Sequence, residues 1–272
     1  MKKIALITGA SSGMGKATAI KLLEAGYIVY GAARRVERMA DLKERGVQVI
    51  SMDVTNNESM GQAVRQIIQE HGKIDVLINN AGYGSYGAIE DVPLEEARRQ
   101  FEVNIFGLAR LTQLTLPSMR ENKSGKIVNV SSMGGKIYTP MGGWYHATKH
   151  ALEGFSDCLR FEVKPFGIDV IVIEPGLVKS EWSTIVTDGL TKTSGSTAYF
   201  AMTKKAAKLY KENYNHPKVS KPTVIADTIL KALEAKNPKA RYAAGYNAKL
   251  FLFLRKILPD KIYDAALAMA LK

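Results

Sequence analysis

Apolar and polar positions fall into repeating blocks along this chain. Residues 3–8 (KIALIT) form a short apolar run that stops at Gly9, the pattern of a strand buried on both faces. An amphipathic helical pattern follows to about Gly26. Further strand patterns fall at 27–33, 47–52, 74–78, 126–130 and 168–174, with 240–245 as a seventh. Between them run helical patterns. One covers 56–71, and a long one covers 94–119 with Phe101, Ile105, Leu108 and Leu111 on its core-like face. Another follows Tyr145 and uses Ala151, Leu152, Phe155, Leu159 and Val163. Lys221-Pro222 opens one more, to about Ala235. Strands alternating with helices at this spacing predict an α/β chain whose parallel sheet is joined by right-handed crossovers. From about 179 to 220 the pattern loosens, and Trp182, Tyr199, Phe200, Met202 and Tyr210 are interleaved with turn residues. An insertion of that length after a strand's carboxyl end predicts a lid over a cleft. The glycine-rich loop 83–91, with two tyrosines, is expected to line the same cleft.

Composition narrows the class. At 272 residues and 46% hydrophobic, the chain can bury a large core and reads as one domain over 1–272. The single Cys158 excludes an internal disulfide and, with no cysteine cluster, argues against a structural metal. The initial apolar run is too short for a signal segment, and no stretch is long and uncharged enough to span a bilayer. The expected location is therefore cytoplasmic. Net charge is +12, and residues 192–272 hold sixteen Lys/Arg against five Asp/Glu, so that +11 lies there. This reads as a solvated basic surface, or as one that meets an anionic membrane or an acidic partner. Nucleic acid is disfavoured, because no recognition motif accompanies the charge. The tail, 248–272, contains five consecutive large apolar residues, 250–254. They suit a packed terminal helix, or an interfacial anchor that uses both the charge and the apolar face.

Candidate chemistry sits at the strand ends. After the first strand comes Thr8-Gly9-Ala10-Ser11-Ser12-Gly13-Met14-Gly15 and then a helix, the opening of a dinucleotide-binding unit. Its glycines permit a sharp turn and a close approach to a pyrophosphate, which would rest on the helix N-terminus. A Walker A loop is excluded, since Ala10 replaces its first glycine and Ala17 its Mg²⁺-binding hydroxyl. The second strand ends in Arg34-Arg35 with no carboxylate between Gly26 and Val36. That suits a ribose 2′-phosphate, hence NADP rather than NAD. Tyr145 and Lys149 lie four apart on one helix face. An ammonium beside a phenol is expected to lower its pKa from about 10 toward working pH, leaving a proton donor and acceptor for an alcohol or carbonyl oxygen. Tyr214 and Lys218 repeat the spacing, but Pro217 between them spoils a helix and no strand delivers them. Asn104, amid the apolar face of the long helix, ties down backbone or holds a water near the chemistry.

With these residues in place the chain resembles the short-chain dehydrogenase/reductase family over essentially its whole length. The matches are TGASSGMG at 8–15, Asp53-Val54, NNAG at 79–82, Asn104, Ser132, YHATK at 145–149 and PGLVKS at 175–180. The lid and basic apolar tail look most like the hydroxysteroid- and retinol-dehydrogenase-like branch. The resemblance implies a Rossmann-type doubly wound sheet of about seven strands in three α/β/α layers, with a helical C-terminal extension. It implies Tyr145 as general acid/base, Lys149 as its tuning cation and ribose ligand, Ser132 as the group polarising the carbonyl, and Asn104 as holder of a water. It also implies cofactor contacts at Gly9, Ser11, Ser12, Gly13, Met14, Gly15, Arg34, Arg35, Asp53, Val54, Asn80 and Val178, besides Tyr145 and Lys149. Thr148 and Ser180 depart from the usual Ser and Thr, and both keep a hydroxyl. The implied function is NADP-dependent interconversion of a carbonyl and an alcohol on a hydrophobic substrate, with no metal, in a homodimer or homotetramer. The alternative is a non-catalytic NADP-binding sensor or scaffold of the same fold.

Overall fold

The computed structural model describes residues 2–271, apart from the side chain of Ser183. Each apolar block becomes a strand. The first, β1 (Ile4–Thr8), is buried along its whole length and leads into α1 (Gly13–Glu24). Next come β2 (Ile28–Ala33), α2 (Ala40–Glu44), β3 (Gln48–Ser51) and α3 (Asn57–His71). The amide of Ser59 donates to the Asn56 side chain at the start of α3, and Gly72 at φ +78° ends it. The second half follows with β4 (Val76–Asn79), α4 (Leu94–Phe101), α5 (Gly107–Glu121), β5 (Gly125–Val130), α6 (Gly143–Val163) and β6 (Ile168–Pro175).

All strands are parallel, and with β7 (below) they lie in the order β3-β2-β1-β4-β5-β6-β7. Successive side chains of β1 supply two separate cores. Ala5 and Ile7 join the helix-covered face that includes Leu22, Val128, Ile173 and Ile229, while Ile4 and Leu6 join the other face with Ile67, Leu111 and Leu159. The order reverses between β1 and β4, and at such a reversal the loops beyond the carboxyl ends part to leave a crevice.

Two expectations change. The long helix over 94–119 is broken by a π-helical turn, Glu102–Phe106, closed by the Gly107 amide on the Glu102 carbonyl. A β-carbon at Gly107 would collide with the Val54 carbonyl, so the helix and the loop after β3 touch backbone to backbone there. On α6, Ala151 faces solvent and Glu153 is buried, 3% exposed.

The expected lid is helical: α7 (Trp182–Ser194) and α8 (Phe200–Asn215) pack against each other above the carboxyl edge. Then α9 (Pro222–Glu234) covers the sheet and delivers β7 (Arg241–Ala244), beyond which the tail folds as α10 (Ala248–Ile257) and α11 (Asp260–Ala270). Pro259 separates the last two, having no amide to continue α10. Arg241 binds three carboxylates: Glu153 at 2.9 Å, Asp157 at 2.6 Å and Glu174 at 3.8 Å. Lys136 reaches the same Glu153 oxygen at 3.3 Å.

Candidate active site

The glycine loop bends back from β1 onto α1. Gly9 and Gly13 adopt φ +69° and +53°, which side chains disfavour, and a β-carbon on Gly15 would strike the Gly9 carbonyl. The Asn80 amide donates to the Thr8 carbonyl at 2.9 Å and fastens this loop to the end of β4. Ser12, at the N-cap of α1, makes no side-chain cap bond, and the first turn carries no acidic residue. Its free amides and the positive end of the helix dipole therefore suit an anion. A cleft of about 520 Å³ opens here. Gly9, Ser11, Ser12, Gly13, Met14, Arg34, Arg35, Asp53, Val54, Asn80, Ser132, Tyr145, Lys149 and Val178 all line it. Gly15 and Asn104 do not; they stand behind the wall. Arg34 and Arg35 are exposed and have no ion-pair partner among the described residues, whereas Arg38 is 3.6 Å from Glu181. The cradle and its two free guanidiniums fit a dinucleotide with a 2′-phosphate.

At the other end of the cleft, β5 delivers Ser131 and Ser132, and the first two turns of α6 deliver Tyr145 and Lys149. The Ser132 oxygen accepts from the Gly134 amide at 3.0 Å, leaving its proton free to donate to the Tyr145 phenol. The Tyr145 ring is wedged between Trp182 and Tyr86, at centroid distances of 5.1 and 5.7 Å. His146 fixes the preceding loop, with Nδ1 against the Gly134 carbonyl and Nε2 accepting from the Thr139 amide at 3.0 Å. Asn104 is fully engaged: its oxygen accepts from the Tyr83 amide, and its nitrogen donates to the Tyr83 carbonyl and the Thr148 hydroxyl. The hydroxyl retained at Thr148 is thus in use.

The expected depression of the Tyr145 pKa is overturned. Burial pushes the phenol up to about 12, with the Ser132 hydrogen bond opposing. Burial also pulls Lys149 down to about 8, against the pull of Glu153. Spacing placed the pair on one face, but Lys149 Nζ donates to the Val130 carbonyl at 2.9 Å, and loss of water disfavours both charges.

Tyr214, set aside in the sequence, lines the cleft with Trp182 and Ile185. The helix α8 ends at Asn215, so the Lys218 spacing means nothing; the lid's return path carries the tyrosine in. The lid aromatics and the 83–91 loop were the available signals for Trp182 and Tyr83. Arg99 also lines the cleft, and nothing in the sequence pointed to it.

The short chain dehydrogenase family matches residues 3–190. The 3-ketodihydrosphingosine reductase of Bacteroides thetaiotaomicron is 39% identical over 272 residues, covering 97% of this chain and 96% of that one. A short-chain dehydrogenase structure from Streptomyces avermitilis superposes with TM-score 0.82 at 34% identity, over 99% of this chain and 96% of that one. Another, from Burkholderia cenocepacia in complex with NADP, gives 0.76 at 26% identity, over 97% and 96%.

Proposed function

The chain belongs to the short-chain dehydrogenase/reductase family, NAD(P)-dependent oxidoreductases acting on CH–OH groups, and on that premise we propose that it reduces an apolar ketone or aldehyde with NADPH. The reading is carried by one observation: a buried tyrosine lines the same cleft as Ser132 and the glycine cradle. Gly9 to Met14 would hold the pyrophosphate, Arg34 and Arg35 the 2′-phosphate, Asp53, Val54 and Asn80 the adenosine, and Lys149 and Val178 the nicotinamide end. When bound, NADPH supplies the hydride for the carbonyl carbon. Ser132 donates a hydrogen bond to the carbonyl oxygen, and Tyr145 protonates that oxygen as it gains charge. A phenol held near 12 keeps its proton at neutral pH, as a general acid for reduction requires. Asn104 acts through position, by holding Tyr83 and Thr148 around the pair. Trp182, Ile185 and Tyr214 line the cleft beneath the lid and support an apolar substrate; the relative named for 3-ketodihydrosphingosine suggests a long-chain ketone for first trial.

The test is titration with NADPH and NADH followed by fluorescence, then cofactor oxidation with a panel of apolar ketones and aldehydes that includes 3-ketodihydrosphingosine. Preferential NADPH binding with turnover is expected. NADPH binding with no turnover on any member would favour the sensor reading instead.

Cofactor choice gives a second expectation. Arg34→Asp removes one phosphate partner and introduces repulsion, so the NADPH/NADH affinity ratio falls by at least about tenfold. An unchanged ratio would remove Arg34 from the 2′-phosphate site.

A further inference from the structure

The C-terminal helices leave an apolar strip uncovered. On α10, Leu250, Phe253 and Ile257 are 52%, 59% and 54% exposed. Spacings of three and four put them on one face. Lys249 and Lys256, seven apart, border that face; both are exposed, and neither has an ion-pair partner among the described residues. The helix contains no acidic residue. On α11, Ile262 and Met269, again seven apart, are 54% and 71% exposed, and Lys261 lies beside them. Its two carboxylates are engaged elsewhere: Asp260 with Arg255 at 2.7 Å, and Asp264 with the Tyr138 hydroxyl at 2.6 Å.

These helices are fastened to the rest of the molecule by their other sides. Ala248 and Tyr263 are buried; the Tyr263 hydroxyl donates to the Tyr138 carbonyl, and Arg255 lies over both tyrosine rings. Leu271 packs against the cluster that contains Tyr86 and Tyr145. These contacts fix both helices to the body of the molecule and leave the strip facing outward.

We propose that the exposed face of α10 and α11 docks on an anionic lipid bilayer, with Leu250, Phe253, Ile257, Ile262 and Met269 in the acyl boundary and Lys249, Lys256 and Lys261 at the headgroups. Large apolar side chains flanked by lysines whose stems reach outward are the composition of an interfacial helix. The charge picks the partner: the last 81 residues carry +11 of the net +12, which complements anionic lipid. Among the described residues no helix is long and apolar enough to cross a membrane, so contact would be at the surface. Docking does not depend on the proposed reaction; only the corollary, that an apolar substrate enters from the bilayer, rests on it.

The experiment is flotation of the full chain with vesicles of phosphatidylcholine alone and with one part in three phosphatidylglycerol. Wild type is expected to float with the anionic vesicles and to release at high salt. Phe253→Ser with Ile257→Ser should weaken binding by at least about tenfold per residue. Lys249→Gln with Lys256→Gln should lower it about fivefold per lysine and reduce the preference for anionic lipid. NADPH affinity and thermal midpoint of each variant should match wild type, which separates loss of docking from loss of fold or site. Failure of wild type to float with anionic vesicles at low salt would overturn the proposal. So would a Phe253→Ser/Ile257→Ser variant that still floats as well, or one whose only change is a smaller mass by light scattering, which would assign the strip to a second copy of this chain.

Discussion

Tyr145→Phe is expected to bind NADPH within about threefold of wild type and to lower turnover by at least about a thousandfold. The magnitude follows from removing the general acid assigned to the substrate oxygen, since a positioned acid or base contributes about 10²–10⁴. The variant is informative because it disturbs so little else. The ring keeps its neighbours Trp182 and Tyr86, and only the hydroxyl that meets Ser132 is lost. Fluorescence titration checks the first half and cofactor oxidation the second. Turnover within tenfold of wild type would sink the role assigned to Tyr145. A large loss of NADPH affinity would instead mean that the phenol chiefly builds the binding site.

Arg241→Met is expected to destabilise the fold by about 3–5 kcal/mol. Glu153 and Glu174 are 3% and 5% exposed, and the guanidinium lies against both. Removing one partner of a buried ion cluster strands the others without water, and that costs more than the intact cluster contributes. Lys136 remains for Glu153, but among the described residues Glu174 loses its ion-pair partner. Urea unfolding gives the measurement, and Glu174→Gln in the same background should recover part of the loss. A change below about 1 kcal/mol would show that the cluster is hydrated.

The same site sets a pH dependence. Burial, then repulsion from Glu153, lifts Glu174 from 4.5 to about 7. A carboxyl that titrates higher when folded favours the folded state at low pH, and that contribution is lost as pH rises through 7. Wild type should therefore lose stability between about pH 5 and 7.5, by up to about 3 kcal/mol. Glu174→Gln should flatten that limb. Asp157, held near 2 chiefly by its hydrogen bond from Arg241, works in the opposite sense but only in acid, as pH falls from 3.8 toward 2.

What the sequence determined by itself was everything local or periodic. Two-sided apolar runs had to be buried strands, because no half-solvated strand reads IALIT, and their spacing required parallel crossovers. The positive φ at Gly9 and Gly13 is a backbone demand met by glycine, so the cradle is legible in the sequence. So was the cation pair at 34–35, since it lies within a few residues of a strand end. Tertiary structure decided whatever depends on which distant groups meet and how much water remains between them. The Tyr145–Lys149 spacing gave the shared face, but only the packed interior shows burial raising the phenol. Asn104 could be placed in the core by pattern, yet its partners Tyr83 and Thr148 lie 21 and 44 residues away. Tyr214 was dismissed on spacing and returned by the path of the lid. The same division explains the tail. Its composition allowed a packed helix or an anchor; the fold fixes one side to Tyr138 and leaves the other open, because no element of this chain covers it among the described residues.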